Sequence, residues 1–293
     1  MKKLLITGAS GFLGYHLTKL AAEKFEVHGL YHTNPFESNN CTAHSIDITN
    51  YIALGDLIED IEPDAIIHAA ALANANFCEQ HPEQSYLVNV ETTANLAGIC
   101  CDYQIPFVFT STDLVFDGKD GNYSEDSEAN PIMTYGKHKL QAEQEVQRIY
   151  PAAFIARLPL LFGDTNAKQA NYLEQFIADN KAGKTATLFY DEYRTLVGAK
   201  SVSKGILQFI DSYSGILHLG GSQKISRFDF GVKVAEILGL DIALLNACSQ
   251  DTVSFPAPRP KDVSLNSAKA FSLGYLPLTL EEELKLIFEG NHF

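Results

Sequence analysis

Tyr135 and Lys139, in Tyr135-Gly136-Lys137-His138-Lys139, have the spacing in this chain most suggestive of chemistry. Residues at i and i+4 share one face of a helix. A phenol at its free pKa of about 10 is a poor acid–base catalyst. A neighbouring ammonium favours phenolate and brings that pKa towards working pH. Such a pair suits hydride transfer to a ketone, where the oxygen that gathers negative charge needs a proton donor. Upstream, Thr110-Ser111-Thr112-Asp113 follows the apolar Phe107-Val108-Phe109. Thr112 there offers a hydroxyl to polarise the carbonyl or to orient Tyr135.

A hydride needs a carrier, and the N-terminus offers a seat for one. Thr7-Gly8-Ala9-Ser10-Gly11-Phe12-Leu13-Gly14 follows a strand pattern, Leu4-Leu5-Ile6, and opens a helix pattern. Gly8 permits the tight turn, Gly11 lets a pyrophosphate approach the backbone, and Gly14 lets helix and strand pack closely. The helix N-terminus, with Ser10, Phe12 and Leu13 about it, then faces the phosphates.

The elements that must position these groups alternate in the manner of a parallel sheet covered on both faces. Strands are expected at Leu4–Ile6, Phe25–Tyr31, Ala65–His68, Pro106–Thr110, Ala153–Leu158 and, late in the chain, Gly215–Leu219. Helices are expected over Phe12–Lys24, Gln84–Cys101, Tyr135–Tyr150 with Thr134 as cap, Asn166–Gly183 and Ser201–Ile210. Asp164-Thr165-Asn166 reads as a turn, Asp191–Val197 as a loop, and the tail from Ser222 as three helical patterns broken by a Pro-rich loop. The fold class is therefore α/β, a Rossmann-type doubly wound parallel sheet with a smaller C-terminal substrate-binding lobe. Residues 1–160, with 197–220, form the dinucleotide-binding domain; 161–196 and 221–293 form the lobe.

Bulk composition narrows the partners. The formal net charge of −14 argues against sequence-independent nucleic-acid binding, which needs a basic face. No apolar run is long enough to span a membrane, and a cytoplasmic location is expected. The five cysteines are irregularly spaced and form no Cys-x-x-Cys pair, as expected of reduced thiols. No metal site is expected.

The Gly-x-x-Gly-x-x-Gly spacing resembles the extended branch of the short-chain dehydrogenase/reductase superfamily. Ser111-Thr112-Asp113-Leu114-Val115-Phe116-Asp117-Gly118, Tyr123-Ser124-Glu125-Asp126 and His68-Ala69-Ala70-Ala71 are more specifically similar to the dTDP-4-dehydrorhamnose reductases. Glu79-Gln80-His81-Pro82-Glu83, Arg259-Pro260-Lys261-Asp262-Val263 and Gly274-Tyr275-Leu276-Pro277 extend the likeness over nearly the whole chain. The resemblance implies Thr112, Tyr135 and Lys139 as catalytic residues and the Ala69, Ala70 and Ala71 backbone against the cofactor. It implies Asp47, with Ile48, near the adenine, and Thr112 and Asp113 facing a nucleotide-linked 4-keto sugar, with Leu160 also in the substrate site. The end of the second strand carries no acid to repel a 2′-phosphate, and His32 there can assist when protonated. NADP(H) is thus slightly favoured over NAD(H). Arg194 and Arg259 are candidates for the substrate diphosphate, because arginine offers a bidentate fork. Tyr190 and Phe255 are candidates for a base pocket.

Departures concern the sugar rather than the chemistry. The family's Arg-x-x-Trp stretch is Arg157-Leu158-Pro159-Leu160 here, the chain has no tryptophan, and His68 replaces an asparagine. Asp191-Glu192 resembles an acidic pair that some such reductases use with Mg²⁺ near a subunit contact, although adjacent loop acids are usually only solvated. A homodimer is compatible with the sequence. The alternatives are a nucleotide-sugar epimerase or dehydratase of the same fold, and a non-catalytic NADP-binding regulatory subunit resembling the methionine adenosyltransferase beta subunit.

Overall fold

Short, fully apolar runs belong in strands covered on both faces, and that is where they lie. The computed structural model describes residues 1–36, 41–164 and 172–289. In chain order come β1 (Lys2–Thr7), α1 (Phe12–Ala21), β2 (Phe25–Tyr31), β3 (Thr42–Ser45), α2 (Tyr51–Ile61) and β4 (Ala65–His68). They are followed by α3 (Ala75–Gln80), α4 (Pro82–Tyr86), α5 (Thr92–Asp102), β5 (Phe107–Thr112), α6 (Thr134–Ile149) and β6 (Phe154–Leu158). Next are β7 (Leu161–Phe162), α7 (Tyr172–Lys181), β8 (Ala186–Phe189), β9 (Tyr193–Arg194), β10 (Val197–Gly198) and α8 (Ala199–Phe209). The chain closes with β11 (Gly215–His218), β12 (Ile225–Ser226), α9 (Arg227–Leu238), β13 (Leu245–Cys248), α10 (Ala268–Ser272) and α11 (Leu280–Glu289).

Seven strands stand in the order β11-β6-β5-β4-β1-β2-β3, every pairing parallel. Alternate residues of a strand face opposite sides. Leu4 and Ile6 therefore enter one core with Leu17, Val202 and Ile206, while Leu5 enters the other with Ile66, Leu96 and Val146. The strand order reverses between β1 and β4, so a crevice opens at their carboxyl ends, the usual ligand position in such sheets.

A further core gathers Phe162, Phe176, Leu188, Phe230, Val234 and Leu284. The chain beyond it returns to the sheet: Ala257 packs with Tyr135, Val263 and Leu265 with Val115 and Phe116, and Tyr275 with the first sheet core. No helix among the described residues is long and apolar enough to cross a membrane.

Four local expectations change. The segment 191–197 is not simply loop: β9 pairs antiparallel with β12, and β10 pairs parallel with β7. These partners are remote in sequence, so local pattern could not show them. Thr134 does not cap α6. Met133 is the N-cap residue, and the free Thr134 amide is satisfied by Glu79 Oε2 at 2.9 Å. The expected helix over 84–101 is interrupted by a π turn at Leu87–Glu91, where Thr92 Oγ1 donates to the Leu87 carbonyl at 3.0 Å. The helix expected over 166–183 is seen at Tyr172–Lys181; its first residues, and Thr165 and Asn166 of the expected turn, lie outside the described residues.

Candidate active site

At the β1–α1 turn, Gly8 adopts a left-handed φ of +68°, and a Cβ there would lie 2.7 Å from the Ala70 amide nitrogen. A side chain at Gly14 would run into the Gly8 carbonyl, and Gly11 is the N-cap of α1, its amide donating to Gly8 O at 2.9 Å. Glycine at these positions lets the turn, the helix and the Ala69–Ala71 segment close on one another. Gly11 is exposed and Ser10, Phe12 and Leu13 are half-buried around it, with Leu13 packed on the sheet core. At the adjacent carboxyl ends of β2 and β3, His32 Nε2 is 4.0 Å from Asp47 Oδ2. Hydrogen bonds from the Thr49 amide and hydroxyl hold the Asp47 carboxyl below the usual range, and Ile48 packs on the second sheet core.

The buried His68 locks this cradle. Thr93 gives its hydroxyl proton to the Asn89 carbonyl (2.9 Å), so it can only accept from His68 Nε2 (3.1 Å). Burial holds His68 neutral, with a pKa pushed down to about 3. Its Nδ1 is then bare and accepts from Thr7 Oγ1 at 2.7 Å. Thr7 Oγ1 in turn accepts the Ala70 amide at 3.1 Å. Histidine thus ties β4 to β1 and fixes the Ala69–Ala71 turn beneath Gly8.

Helix α6 presents Tyr135 and Lys139 on its buried face, 8% and 2% exposed. Lys139 Nζ sits 4.0 Å from the centre of the Phe109 ring, and His68 stacks on the same ring. Burial lowers the Lys139 pKa to about 7, partly opposed by Glu143 one turn along the helix. The expected lowering of Tyr135 is reversed in the protein alone. Burial, reinforced by Cys78 and Asp113, pushes its phenol up. Thr112 is buried at the end of β5; its hydroxyl accepts the Leu114 amide and donates to Asp113 Oδ1, both at 3.2 Å.

Asp113 does not face an open site alone. Arg194 Nη1 lies 2.8 Å from both of its carboxylate oxygens, and Arg194 Nη2 reaches Glu192 at 3.3 Å. Against the cost of burial, these acids hold the Arg194 guanidinium above its ordinary pKa. Arg194, expected to grip a diphosphate, has Nη1 on Asp113 and Nη2 on Glu192 in the protein alone, and Nε is left buried without a partner. Leu160 packs on the third core. Arg259 is half-buried, hydrogen-bonded to Asn76 (3.0 Å) and set over the Phe255 ring. Asp191 accepts from Ser249 Oγ (2.6 Å) and the Gln250 amide (2.9 Å), so it organises the neighbouring loop. Tyr190 is exposed.

Sequence reasoning missed the network behind α6. Glu143 forms a bidentate pair with Arg157 (2.9 and 2.7 Å), and Arg157 Nη1 approaches His218 Nε2 at 3.4 Å. The available signal was the i+4 spacing of Glu143 from Lys139.

Comparison with known proteins places this geometry among relatives. The RmlD substrate binding domain family matches residues 1–291. The probable low-salt glycan biosynthesis reductase Agl14 of Haloferax volcanii is 34% identical over 287 residues, covering 95% of each chain. The methionine adenosyltransferase 2 subunit beta of Xenopus laevis is 28% identical, covering 93% of this chain and 83% of its own. Among solved structures, dTDP-4-dehydrorhamnose reductase of Bacillus anthracis in complex with NADP superposes with a TM-score of 0.88 at 25% identity. That match covers 99% of this chain and 100% of the other.

Proposed function

Because the chain belongs to the RmlD substrate binding domain family, we propose that it is an NAD(P)H-dependent reductase of a 4-keto nucleotide sugar, most simply dTDP-4-dehydrorhamnose. The observation that carries this is the placement of Tyr135 and Lys139 on the buried face of α6. Phe109, His68 and Thr7 link Lys139 to a turn that only glycine can close. The Gly8–Gly14 turn, the α1 N-terminus and the Ala69–Ala71 backbone would hold pyrophosphate and nicotinamide ribose, with His32, Asp47 and Ile48 at the adenosine end. The bound cofactor supplies the hydride. NADP(H) is favoured because no acid stands at the end of β2, and the similar Bacillus anthracis reductase is in complex with NADP.

A reductase needs its phenol protonated before the reaction, and burial keeps Tyr135 in that form. Tyr135 then gives its proton to the oxygen that becomes the sugar hydroxyl. Lys139 beneath it stabilises the phenolate left behind, and Thr112 orients the carbonyl by exchanging one of its long hydrogen bonds. Residues 1–160 with 197–220 serve as the cofactor domain and 161–196 with 221–293 as the substrate lobe. The separate core built around Phe162, Leu188 and Phe230 supports that division.

Absorbance of NADPH and NADH against a panel of 4-keto nucleotide sugars tests the proposal. Stoichiometric oxidation is expected with one sugar, and Tyr135→Phe should lower kcat by about 100- to 10,000-fold. Conversion of a sugar without net NADPH loss would identify an epimerase instead. The likeness to methionine adenosyltransferase 2 subunit beta favours a regulatory subunit as the second reading. Cofactor binding with no turnover of any sugar, in both wild type and Tyr135→Phe, would select it.

A further inference from the structure

A chain of hydrogen bonds runs from the flank of α6 to the backbone just beyond the Ala69–Ala71 turn. The Asn89 side chain grips Leu72 at both backbone polar atoms, accepting its amide and donating to its carbonyl, each at 3.0 Å. Cys78 Sγ donates to the same carbonyl at 3.2 Å. Asn89 Nδ2 also donates to Ser85 Oγ at 3.1 Å, and Ser85 Oγ lies 2.8 Å from His138 Nδ1. Asn89 and Ser85 are fully buried and His138 is half-buried.

Three elements contribute to the chain. Asn89 belongs to the π turn at Leu87–Glu91, Ser85 to α4, and His138 to α6, three residues after Tyr135 and directly before Lys139. π turns inside helices are frequent at functional sites. At the far end, the Leu72 side chain packs on the cluster that buries Tyr135, Met133 and Ala257. The chain thus meets Tyr135 on one side and, on the other, the turn proposed to hold the nicotinamide ribose.

The groups themselves set the direction of each bond. The Asn89 NH2 can only donate, so of its two partners Ser85 gives its proton to His138 Nδ1, which a neutral imidazole protonated on Nε2 leaves bare. Burial lowers the His138 pKa; Glu79 from α3 opposes that shift and Lys137 reinforces it, while the Tyr86 ring of α4 meets His138 edge-on at 5.6 Å. A protonated His138 would point a donor at an oxygen already accepting from Asn89, and the Ser85 proton would lose this acceptor.

We propose that Ser85 and His138 are positioning residues for hydride transfer, which through Asn89 clamp the Leu72 turn to α6 and fix the spacing between the nicotinamide end of the cofactor and the Tyr135 hydroxyl. The inference rests on the reductase function proposed above and adds what keeps the reacting groups in register. Neither side chain needs to touch substrate or cofactor. Hydride transfer is sensitive to such spacing, since misplacement by about 1 Å can cost about 100-fold in rate.

Steady-state turnover and NADPH fluorescence titration of the full chain test this, with Ser85→Ala, His138→Phe, the two combined, and His138→Asn. Ser85→Ala and His138→Phe should each lower kcat by about 10- to 100-fold and leave KM for the keto sugar unchanged. Each should also raise the NADPH Kd by about three- to tenfold. The double variant should be no worse than either single one, because both break one chain. His138→Asn, whose Oδ1 can accept where Nδ1 did, should recover most of kcat. It should also flatten the acid-side fall in kcat that protonation of His138 gives the wild type; a merely stabilising role would leave that limb in place. Wild-type kcat in either Ser85→Ala or His138→Phe overturns the inference and leaves the reductase standing. So do additive losses in the double variant, or a His138→Asn as slow as His138→Phe. If the wild type turns over no sugar, the reductase reading falls and NADPH binding decides the clamp. Weakening in both single variants with recovery in His138→Asn sustains it, and unchanged affinity overturns it.

Discussion

Two buried arginine–carboxylate pairs, Arg157–Glu143 and Arg194–Asp113, are built differently. In the pair behind α6, Arg157 gives Nε and Nη2 to Glu143 and turns Nη1 to His218, with both side chains under 5% exposed. In the pair at the substrate end, Arg194 places Nη1 between both oxygens of Asp113, reaches Glu192 at 3.3 Å and leaves Nε buried without a partner. The first is complete within the protein. The second keeps an unmet group, Arg194 Nε, beside Asp113. A buried donor without a partner costs about 1–3 kcal/mol. The Arg157–Glu143 pair is thus satisfied within the protein, while Arg194 retains a buried donor that the protein alone does not satisfy.

The largest effect is expected from breaking the complete pair. Glu143→Ala leaves Arg157 charged and buried, and should cost about 3–5 kcal/mol of stability in urea unfolding. Glu143→Met with Arg157→Leu removes both charges and should restore most of that loss, since well-packed apolar replacements of buried pairs are often neutral. A double variant as unstable as the single one would show that the pair's geometry, rather than the orphaned charge, carries the cost.

The incomplete pair should respond in the opposite proportion. Asp113→Asn retains a hydrogen-bonding shape, and Glu192 still neutralises Arg194, so about 1–3 kcal/mol of stability is expected to be lost. Because Asp113 touches Thr112 and influences Tyr135, kcat/KM with the keto sugar should fall by at least about tenfold. Unchanged turnover combined with a stability loss equal to that of Glu143→Ala would erase the contrast between the two pairs.

The same division marks what the sequence reveals. The glycine turn is legible because Gly8 and Gly14 are the only kind of residue their contacts admit, and α6 because Tyr135 and Lys139 recur at a helical interval. Strand β4 is legible to the residue because Ala65-Ile66-Ile67 is an apolar run buried on both faces. Strand β2 is legible because its buried Val27 and Leu30 lie within a short run between the first helix and a polar loop. The substrate end is not. Arg194 reads as a free fork until Asp113, 81 residues away, is seen to occupy it. Likewise β9 reads as loop until β12 pairs with it, and Gln250 becomes conspicuous only through partners it lacks in three dimensions. Local periodicity reports burial, whereas hydrogen-bond satisfaction depends on contacts across the fold.

The smallest and most selective test uses two buried histidines, His68 at the end of β4 and His218 at the end of β11. Burial pushes both pKa values down to about 3, with Lys139 adding to His68 and Arg157 to His218. They are held neutral in opposite tautomers. His68 carries its proton on Nε2, and His218, which faces Arg157 through Nε2, carries it on Nδ1 towards the Tyr123 carbonyl at 3.1 Å. Between pH about 6.5 and about 3 the unfolded chain binds a proton at each that the folded chain does not. Stability therefore falls as pH drops through that window, by about 1.4 kcal/mol per pH unit for each histidine. Urea unfolding from pH 7.5 to 4.5 should show this slope, and His218→Asn should reduce it by one proton without changing the NADPH affinity that His68 supports through Thr7 and Ala70. His68→Asn should reduce the slope equally and weaken NADPH binding. If both variants leave cofactor affinity alone, the Thr7–His68 relay does not position the cradle.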